Sequence, residues 1–340
     1  MKPSPTPEAE LVSPLDQEQI KARVYPLAEK ADQALADILQ SHVPYIEKVS
    51  RYIIFSGGKR LRPVLFLLAA SAAGGRMEPR YSTIFEYLHA ATLLHDDVVD
   101  SASLRRGRPA ARLEYGNDAV ILVGDFLFSK SYSLAVEVPD QRFVRALTDC
   151  TTIMAEGQVL ELIHTDDLEL DYQGYLEVIR SKTAVLLAAA CQMGAIWAGA
   201  GDEIVQALYD YGLALGLAFQ MVDDALDYVG TAHEFGKPVG HDLAEGKITY
   251  PFLYARDQAS PADKKRLLDL ARQGRSQPEL VDQAKKMVTE LGGVEATYDL
   301  ARAYAVEAQQ ALAPLRGRGE MGPDLETLVA LAWYVINRRH

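Results

Sequence analysis

The stretch ATLLHDDVVD, residues 91–100, places the acidic pattern D-D-x-x-D directly after an apolar run. A second stretch, LAFQMVDDALD at residues 217–227, repeats the same arrangement. Both runs have helical character, so the first and fifth carboxylates of each motif fall on one helix face, with the second carboxylate beside them. The segments that carry the two motifs are therefore predicted to be helices.

Three carboxylates on one apolar helix face repel one another, so the arrangement is tolerable where cations are bound. Carboxylate oxygens with room for water suit Mg²⁺, which proteins hold with a few carboxylates and substrate phosphates. The two motifs therefore predict a metal-dependent clamp for a diphosphate. A solvated acidic helix face would explain one copy, but two copies that both follow apolar runs disfavour it. The predicted metal ligands are Asp96, Asp97, Asp100, Asp223, Asp224 and Asp227.

The amino-acid composition limits the classes to which this protein can belong. The chain has 340 residues, 49% hydrophobic and 24% charged, so it can bury a large core. Its net charge of −12 disfavours a basic nucleic-acid surface. The two cysteines, Cys150 and Cys191, form neither a disulfide framework nor a zinc pattern and are predicted to be core residues. The first 14 residues contain no apolar signal region, which predicts a cytoplasmic protein.

Helical periodicity dominates the chain, and convincing strand alternation is absent. We predict one all-α domain, residues 15–340, after a disordered tail, residues 1–14. The uncharged segment 183–201 is predicted to be a buried central helix, because it is rich in small residues and barely long enough to span a membrane. The predicted helices cover residues 16–41, 43–56, 62–74, 81–100, 117–136, 141–164, 172–199, 202–229, 249–257, 261–272, 278–291, 293–313 and 323–337.

Two basic elements accompany the acidic motifs. The sequence GGKRLRP, residues 57–63, places three cations beside a flexible glycine pair. Such a cluster can close over a phosphate through forked arginine hydrogen bonds, although in isolation a basic surface turn is the simpler interpretation. The run RRGRP, residues 105–109, follows the first acidic motif closely. Because the cations lie so close to the predicted metal site, the favoured interpretation is that an anion bridges the cations and the metals. The alternative is a solvated run of charged residues.

Other polar residues have two possible interpretations. Gln220 lies three residues before the second acidic motif and His89 seven before the first, so each shares the face of its motif. Either could instead be an ordinary structural residue. Lys182 opens an apolar helix, where a lysine commonly extends to the surface. The polar, glycine-punctuated segment 233–249 carries two lysines and could act as a mobile lid.

Taken in order, these motifs resemble the polyprenyl synthetase family, the trans-isoprenyl diphosphate synthases. The strings GGKRxRP, HxxxLxHDDxxD, RRG, KT, FQxxDDxxD and KxxGxDLxEGKxTxP all occur, from about residue 45 to the C-terminus. The resemblance implies a single-domain, all-α bundle of long helices around a deep central cavity, usually as a homodimer. It also implies Mg²⁺ as the cofactor, with three ions per active site. The implied substrates are isopentenyl diphosphate and an allylic diphosphate.

The resemblance also assigns roles by position. It implies an isopentenyl diphosphate site formed by Lys59, Arg62, His89 and Arg106. Around the allylic diphosphate it implies Arg105, Lys182, Thr183, Gln220, Lys237 and Lys247, with Arg105 and Lys182 taking part in catalysis. In this chemistry the metals and cations neutralise the departing diphosphate, and the double bond of isopentenyl diphosphate attacks the allylic cation. A proton is then lost, and no side-chain nucleophile is required.

The resemblance implies a medium- or long-chain product, near octaprenyl length, for quinone side chains. A farnesyl or geranylgeranyl diphosphate synthase and a non-catalytic subunit of a heteromeric synthase are the alternatives within the family. A class I terpene cyclase also uses D-D-x-x-D, but its second metal site typically mixes Asn, Ser and Glu. We expect no nucleic-acid partner and no transmembrane segment, with product release at a membrane surface.

Helix geometry predicts which residues limit the product length. The growing chain must run away from the diphosphate, alongside the helix that carries Asp96. Thr92 and Ala91 lie one turn deeper on that face. Leu88 and Tyr87 lie one further turn down, and each turn adds about 5.4 Å. The small first level predicts an open tunnel and a long product, although Ala91 could instead let a neighbouring helix pack closely.

Overall fold

The computed structural model describes residues 10–229, 241–274, 277–316 and 321–337, and the fold within them is all-α, as predicted. The helices of the first described range are α1 Gln17–Ile38, α2 Pro44–Ile54, α3 Leu61–Ala72, α4 Pro79–Val99, α5 Ala111–Tyr115, α6 Asn117–Ala135, α7 Gln141–Ile163, α8 Tyr172–Ile179, α9 Val185–Trp197 and α10 Asp202–Val229. The later helices are α11 His241–Glu245, α12 Tyr250–Gln258, α13 Pro261–Gly274, α14 Pro278–Glu290, α15 Gly293–Ala311, α16 Ala313–Arg316 and α17 Pro323–Asn337.

Every predicted helix has a counterpart, with bounds that differ by a few residues. The largest difference in kind lies in the predicted helix 172–199, which a π-helical turn, Arg180–Ala184, interrupts between α8 and α9. The sequence did not predict α5, α11 and α16, because helices of one turn or little more carry no periodic signal.

Helix α9 lies at the centre of the fold, as predicted for the uncharged segment. Almost all of its side chains are buried, and it packs against α3, α7 and α10. Helix α10 is also largely buried and packs against α15, while α4 packs against α6. One continuous hydrophobic core therefore holds the long helices that carry both acidic motifs. None of the described helices is long and apolar enough to cross a membrane.

The chain before α1 contacts the helical body. The backbone carbonyl of Val12 accepts a hydrogen bond of 2.6 Å from Nε2 of Gln309, and the Val12 N–H donates to Oε1 at 3.3 Å. Leu15 is buried. Gln309 on α15 thus satisfies both backbone groups of Val12 within the predicted tail. The boundary of the disordered tail at residue 14 stays a prediction. Residues 1–9 lie outside the described part of the chain.

A short hairpin follows α4. Strands β1 Leu104–Arg105 and β2 Arg108–Pro109 pair antiparallel, with Arg105 opposite Arg108. The two residues between them, Arg106 and Gly107, have φ angles of 53° and 72°. Positive φ at both central positions is the signature of a type I′ turn, whose twist matches that of paired strands. The hairpin fixes the directions of the two consecutive arginines that the sequence singled out.

Candidate active site

The two acidic motifs line one cavity. Asp96 and Asp100 on α4, with Asp223 and Asp227 on α10, border a cavity of ≈ 450 Å³. In each motif the first and fifth aspartates are about one helical turn apart, so both reach the same space, as their spacing predicts. The tertiary fold thus brings together four carboxylates from segments more than a hundred residues apart.

The second aspartate of the first motif lies outside the cavity lining. Asp97 is 0% exposed and is not among the residues that line the cavity. Its Oδ1 accepts hydrogen bonds from Nε and Nη2 of Arg105, at 2.9 and 2.6 Å. Consecutive helical residues point about 100° apart, and in this motif the rotation turns Asp97 away from the cavity. Its assignment as a metal ligand stays a prediction. Asp97 anchors Arg105 at the edge of the cavity.

Asp224 lies in the cavity wall, but both of its oxygens are engaged by the protein. It is 2% exposed, and its Oδ2 accepts a 2.6 Å hydrogen bond from the hydroxyl of Tyr175. Its Oδ1 accepts a 2.8 Å hydrogen bond from Nε2 of Gln220. In both motifs, then, a protein donor holds the second aspartate, while the first and fifth face the cavity.

Burial and mutual repulsion raise the proton affinity of this cluster. Burial raises the pKa of Asp96, and the neighbouring Asp100 and Glu161 raise it further. Burial also raises the pKa of Asp224 to about 7, although its two hydrogen-bond donors oppose the shift. A bound cation would relieve this crowding of negative charge.

The donor set fits Mg²⁺. Carboxylate oxygens are the hard ligands that this ion prefers, and the cavity has room for water and phosphate oxygens beside them. Among the described residues, no three acidic, histidine or cysteine side chains are close enough to hold an ion by themselves. Mg²⁺ usually takes part of its coordination from bound phosphates, which suits a site of this kind.

Two lysines oppose the acidic residues. Lys182 forms an ion pair with Glu161, and its Nζ lies 3.7 Å from Oδ2 of Asp96. Lys247 donates hydrogen bonds to Glu245 at 2.8 Å and to Asp100 at 3.3 Å. Burial lowers the pKa of Lys247, but the surrounding carboxylates outweigh burial and leave the pKa raised. Both sides of an anion-binding site, cations and metal ligands, are therefore present in one cavity.

The π-helical turn delivers Lys182 and Thr183 to this cavity. A π turn inserts one extra residue into a helix and re-aims the side chains beside it, and such turns are common at functional sites. Two glycines allow neighbouring helices to approach it: a Cβ at Gly157 would lie 2.6 Å from Ser181, and one at Gly216 would lie 2.6 Å from Ala184. The hydroxyl of Thr183 donates to Oε1 of Gln220 at 2.9 Å.

A second basic cluster borders a larger, adjoining cavity of ≈ 1390 Å³. The lining includes all four residues assigned to the isopentenyl diphosphate site, namely Lys59, Arg62, His89 and Arg106. Burial lowers the pKa of His89 well below its usual range, and Arg62 and Arg106 lower it further. The imidazole is therefore neutral near pH 7 and able to donate or accept a hydrogen bond beside a strongly cationic surface.

The buried side chain of Arg60 supports this basic cluster. Its guanidinium is buried and donates to Asp32 at 2.6 Å, to Glu86 at 2.9 Å and to the carbonyl of Ile54 at 2.7 Å. Its backbone has φ of 50° at the start of α3. Because Arg60 is held by partners on three helices, it fixes the turn from which Lys59 projects.

The larger cavity extends from the acidic residues between α4, α6 and α7. Thr92 lines it, together with Phe128 and Tyr132 on α6. The other three residues predicted to limit product length, Tyr87, Leu88 and Ala91, are fully buried in the core and are not among its lining residues. Thr92 and Asp96, one helical turn apart, thus line the same cavity. The influence of all four residues on product length stays a prediction.

Some residues of the cavities were not singled out from the sequence. Glu161 and Tyr175 lack any local pattern that separates them from ordinary surface or core residues, and their contacts come from other helices. Arg60 lies within the basic element of residues 57–63, but its buried position depends on partners from other helices. A carboxylate one turn after a glycine-containing helical segment is too common to carry a signal. The predicted site residue Lys237 lies outside the described residues.

The chain belongs to the polyprenyl synthetase family, whose model matches residues 43–288. It is 36% identical over 328 residues to the octaprenyl diphosphate synthase of Haemophilus influenzae, covering 95% of this chain and 97% of that protein. It is 34% identical to a short chain isoprenyl diphosphate synthase of Methanothermobacter thermautotrophicus, covering 92% of this chain and 97% of that protein.

Solved structures agree with this assignment. The crystal structure of a polyprenyl synthase from Caulobacter crescentus, complexed with calcium and isoprenyl diphosphate, superimposes with a TM-score of 0.88 at 38% sequence identity. The match covers 95% of this chain and 98% of that one. The observed all-α fold is therefore that of the family, as the resemblance of the motifs predicted.

Proposed function

We propose that this protein is a Mg²⁺-dependent trans-prenyltransferase. It condenses isopentenyl diphosphate with an allylic diphosphate, repeatedly, to give a medium- or long-chain polyprenyl diphosphate. The observation that carries the proposal is the pairing of two acidic motifs with two separate basic clusters around adjoining cavities. One cluster serves each diphosphate; Asp100 and Asp227 border only the smaller cavity, whereas Asp96 and Asp223 border both.

The smaller cavity suits the allylic diphosphate. Asp96, Asp100, Asp223 and Asp227 would hold the metal, and Mg²⁺ when bound would neutralise charge on the departing diphosphate. Lys182 and Lys247 already lie within ion-pair distance of the first motif. A diphosphate that enters would replace those carboxylates as the partner of both ammonium groups.

The larger cavity suits isopentenyl diphosphate and the growing chain. Lys59, Arg62 and Arg106 line this cavity and not the smaller one, and they supply positive charge to it. The Nε of Arg62 is buried, and within the described residues it has no hydrogen-bond partner. An unpaired buried donor costs stability, and a phosphate oxygen would offset that cost.

The arrangement orients the two substrates for reaction. The bond between the allylic carbon and its diphosphate oxygen breaks, and the cations hold the leaving group. The terminal carbon of the isopentenyl double bond then forms the new carbon–carbon bond, which leaves a cation on the neighbouring carbon. The carbon on the other side of that cation loses a proton to the released diphosphate, which restores a double bond. Holding both substrates side by side supplies much of the rate, since orientation replaces a bimolecular encounter.

The volume of the larger cavity and the octaprenyl synthase relative support a medium- or long-chain product. Quinone side chains are the use that such a product suggests. The similarity to a short chain synthase keeps a farnesyl or geranylgeranyl product as the alternative.

We also propose that two copies associate through α6 and α7. Both helices expose large apolar side chains, among them Leu122 and Ile163, each 66% exposed. The face of α7 that borders the larger cavity, with Ala155 and Val159, is exposed as well. Such surfaces are typical of subunit interfaces. Light scattering on the purified chain tests this, and a monomer at micromolar concentration would contradict it.

The function is tested by incubating the purified chain alone with Mg²⁺, farnesyl diphosphate and radiolabelled isopentenyl diphosphate. Chromatography of the dephosphorylated products should give a ladder that ends at a chain longer than geranylgeraniol. Cyclic hydrocarbons would instead indicate a terpene cyclase. Absence of any product from the chain alone, restored by a second protein, would indicate one subunit of a heteromeric synthase.

A further inference from the structure

We propose that Tyr175 is a positioning residue, which fixes the second acidic motif relative to the lysine and threonine of the π-helical turn. The proposal rests on the proposed function of the cavity, because it concerns how the metal ligands of that site are held. It assigns a role to a residue outside all the motifs that define the site.

Among the described residues, the hydroxyl of Tyr175 has one hydrogen-bond partner. It donates to Oδ2 of Asp224 at 2.6 Å, and the Tyr175 side chain is 2% exposed. The ring of Tyr250 stacks against it, with centroids 6.0 Å apart, so the ring cannot swing away without disturbing α12. A rigid, buried donor thus holds one oxygen of the second acidic motif.

The other oxygen of Asp224 connects to the π-helical turn. The side-chain Nε2 of Gln220 donates to it at 2.8 Å. The hydroxyl of Thr183 in turn donates to the side-chain Oε1 of Gln220 at 2.9 Å. Tyr175, on α8, precedes this turn in the same run of helical residues. One hydrogen-bonded chain therefore links α8, α10 and the π turn.

This link sets the distance between metal ligands and cations. Asp223 and Asp227 flank Asp224 on α10, and Lys182 adjoins Thr183 on the π turn. Without the Tyr175 hydroxyl, α8 would keep its packing against α7 and α10 its packing against the π turn, but Asp224 would lose one of the two donors that hold it. Catalytic groups must be held to a fraction of an ångström, so such a loss should weaken metal and diphosphate binding more than it weakens the fold.

The test compares Tyr175→Phe with Tyr172→Phe. Tyr172 is on the same helix and bonds the hydroxyl of Tyr304 at 3.2 Å, so its variant removes one hydroxyl away from the motif. Mg²⁺ is titrated into the protein in the presence of inorganic diphosphate, and Tm is followed. The measured quantity is the Mg²⁺ concentration at which Tm has completed half of its total rise. Because a hydrogen bond to a charged group contributes about 1.5–3 kcal/mol, we expect this concentration to rise at least about tenfold in Tyr175→Phe alone.

A rise below threefold, or an equal rise in both variants, overturns the proposal. A double-mutant cycle with Asp224→Asn guards against a general loss of stability. The effect of Tyr175→Phe should shrink at least severalfold in that background, whereas a purely structural hydroxyl would give additive effects.

The binding measurement also separates this proposal from the proposed function. If the wild-type chain makes no prenyl product, the function is wrong, yet the Mg²⁺ and diphosphate titration still decides whether Tyr175 positions the acidic motif. In an active enzyme, Tyr175→Phe should raise the KM for the allylic diphosphate and leave that for isopentenyl diphosphate within twofold. The opposite split would contradict the proposal.

Discussion

The ammonium group of Lys247 lies 3.3 Å from Oδ2 of Asp100, although the two residues are 147 positions apart in sequence. Asp100 closes the first acidic motif, and Lys247 follows the second motif and the segment after it. The contact brings the end of that segment over the first motif. A ligand in the cavity is thus enclosed by both halves of the chain.

Removing one cavity-facing carboxylate should abolish activity without unfolding the protein. Asp96→Ala or Asp223→Ala should lower kcat by about 100-fold or more, because charge on the departing diphosphate is then poorly neutralised. Circular dichroism should stay unchanged, and excess EDTA should inactivate the wild type. The exposed Asp118 offers a control, since Asp118→Ala should behave as wild type. Near-normal turnover of either site variant, or full activity in EDTA, would contradict the metal clamp.

The two basic clusters should respond to different substrates. Lys59→Ala should mainly raise the KM for isopentenyl diphosphate, because Lys59 borders the larger cavity. Lys247→Ala should mainly raise the KM for the allylic diphosphate, because Lys247 borders the acidic cavity. Steady-state kinetics with each substrate varied in turn distinguishes the two. An equal effect of both variants on both KM values would show that the cavities are not separate sites.

Bulk at Thr92 should shorten the product. Thr92 lines the larger cavity one turn before Asp96, so Thr92→Phe should block elongation after a few units and give products near farnesyl or geranylgeranyl length. Thr92→Val, of nearly equal volume, should keep the wild-type length. The buried Ala91 is the informative comparison: Ala91→Phe tests whether the tunnel wall extends to this residue. If Thr92→Phe is active and its products have the wild-type length, the predicted path of the chain is wrong.

Arg60 should contribute more to stability than an exposed arginine does. Its side chain and that of Glu86 are both buried, so Arg60→Ala leaves an unpaired buried carboxylate. The free energy of unfolding should fall by about 3–5 kcal/mol. Arg80→Ala, which breaks the exposed pair with Glu137, should cost no more than about 1 kcal/mol. Urea denaturation measures both, and similar losses in the two variants would refute the anchoring role of Arg60.

The sequence by itself determined the fold class, the long helices and the cavity-facing aspartates. Periodic apolar residues predict long helices, and carboxylates four positions apart must share a helix face. The order and spacing of the motifs were enough to predict the family. Local chemistry and regular geometry carry all of these features.

Only the tertiary structure decided how the second aspartates are used and where the cavity wall runs. Asp97 turns to Arg105 and Asp224 to Tyr175, and both partners come from segments whose positions depend on packing. The π turn that presents Lys182 lies inside residues 172–199, which the sequence predicts to be one continuous helix. Ala91 and Thr92 are adjacent in sequence, yet one is in the core and the other lines the cavity. Which side chains line the cavity depends on which neighbouring helix covers each helix face. The periodic pattern within one helix does not specify that neighbour.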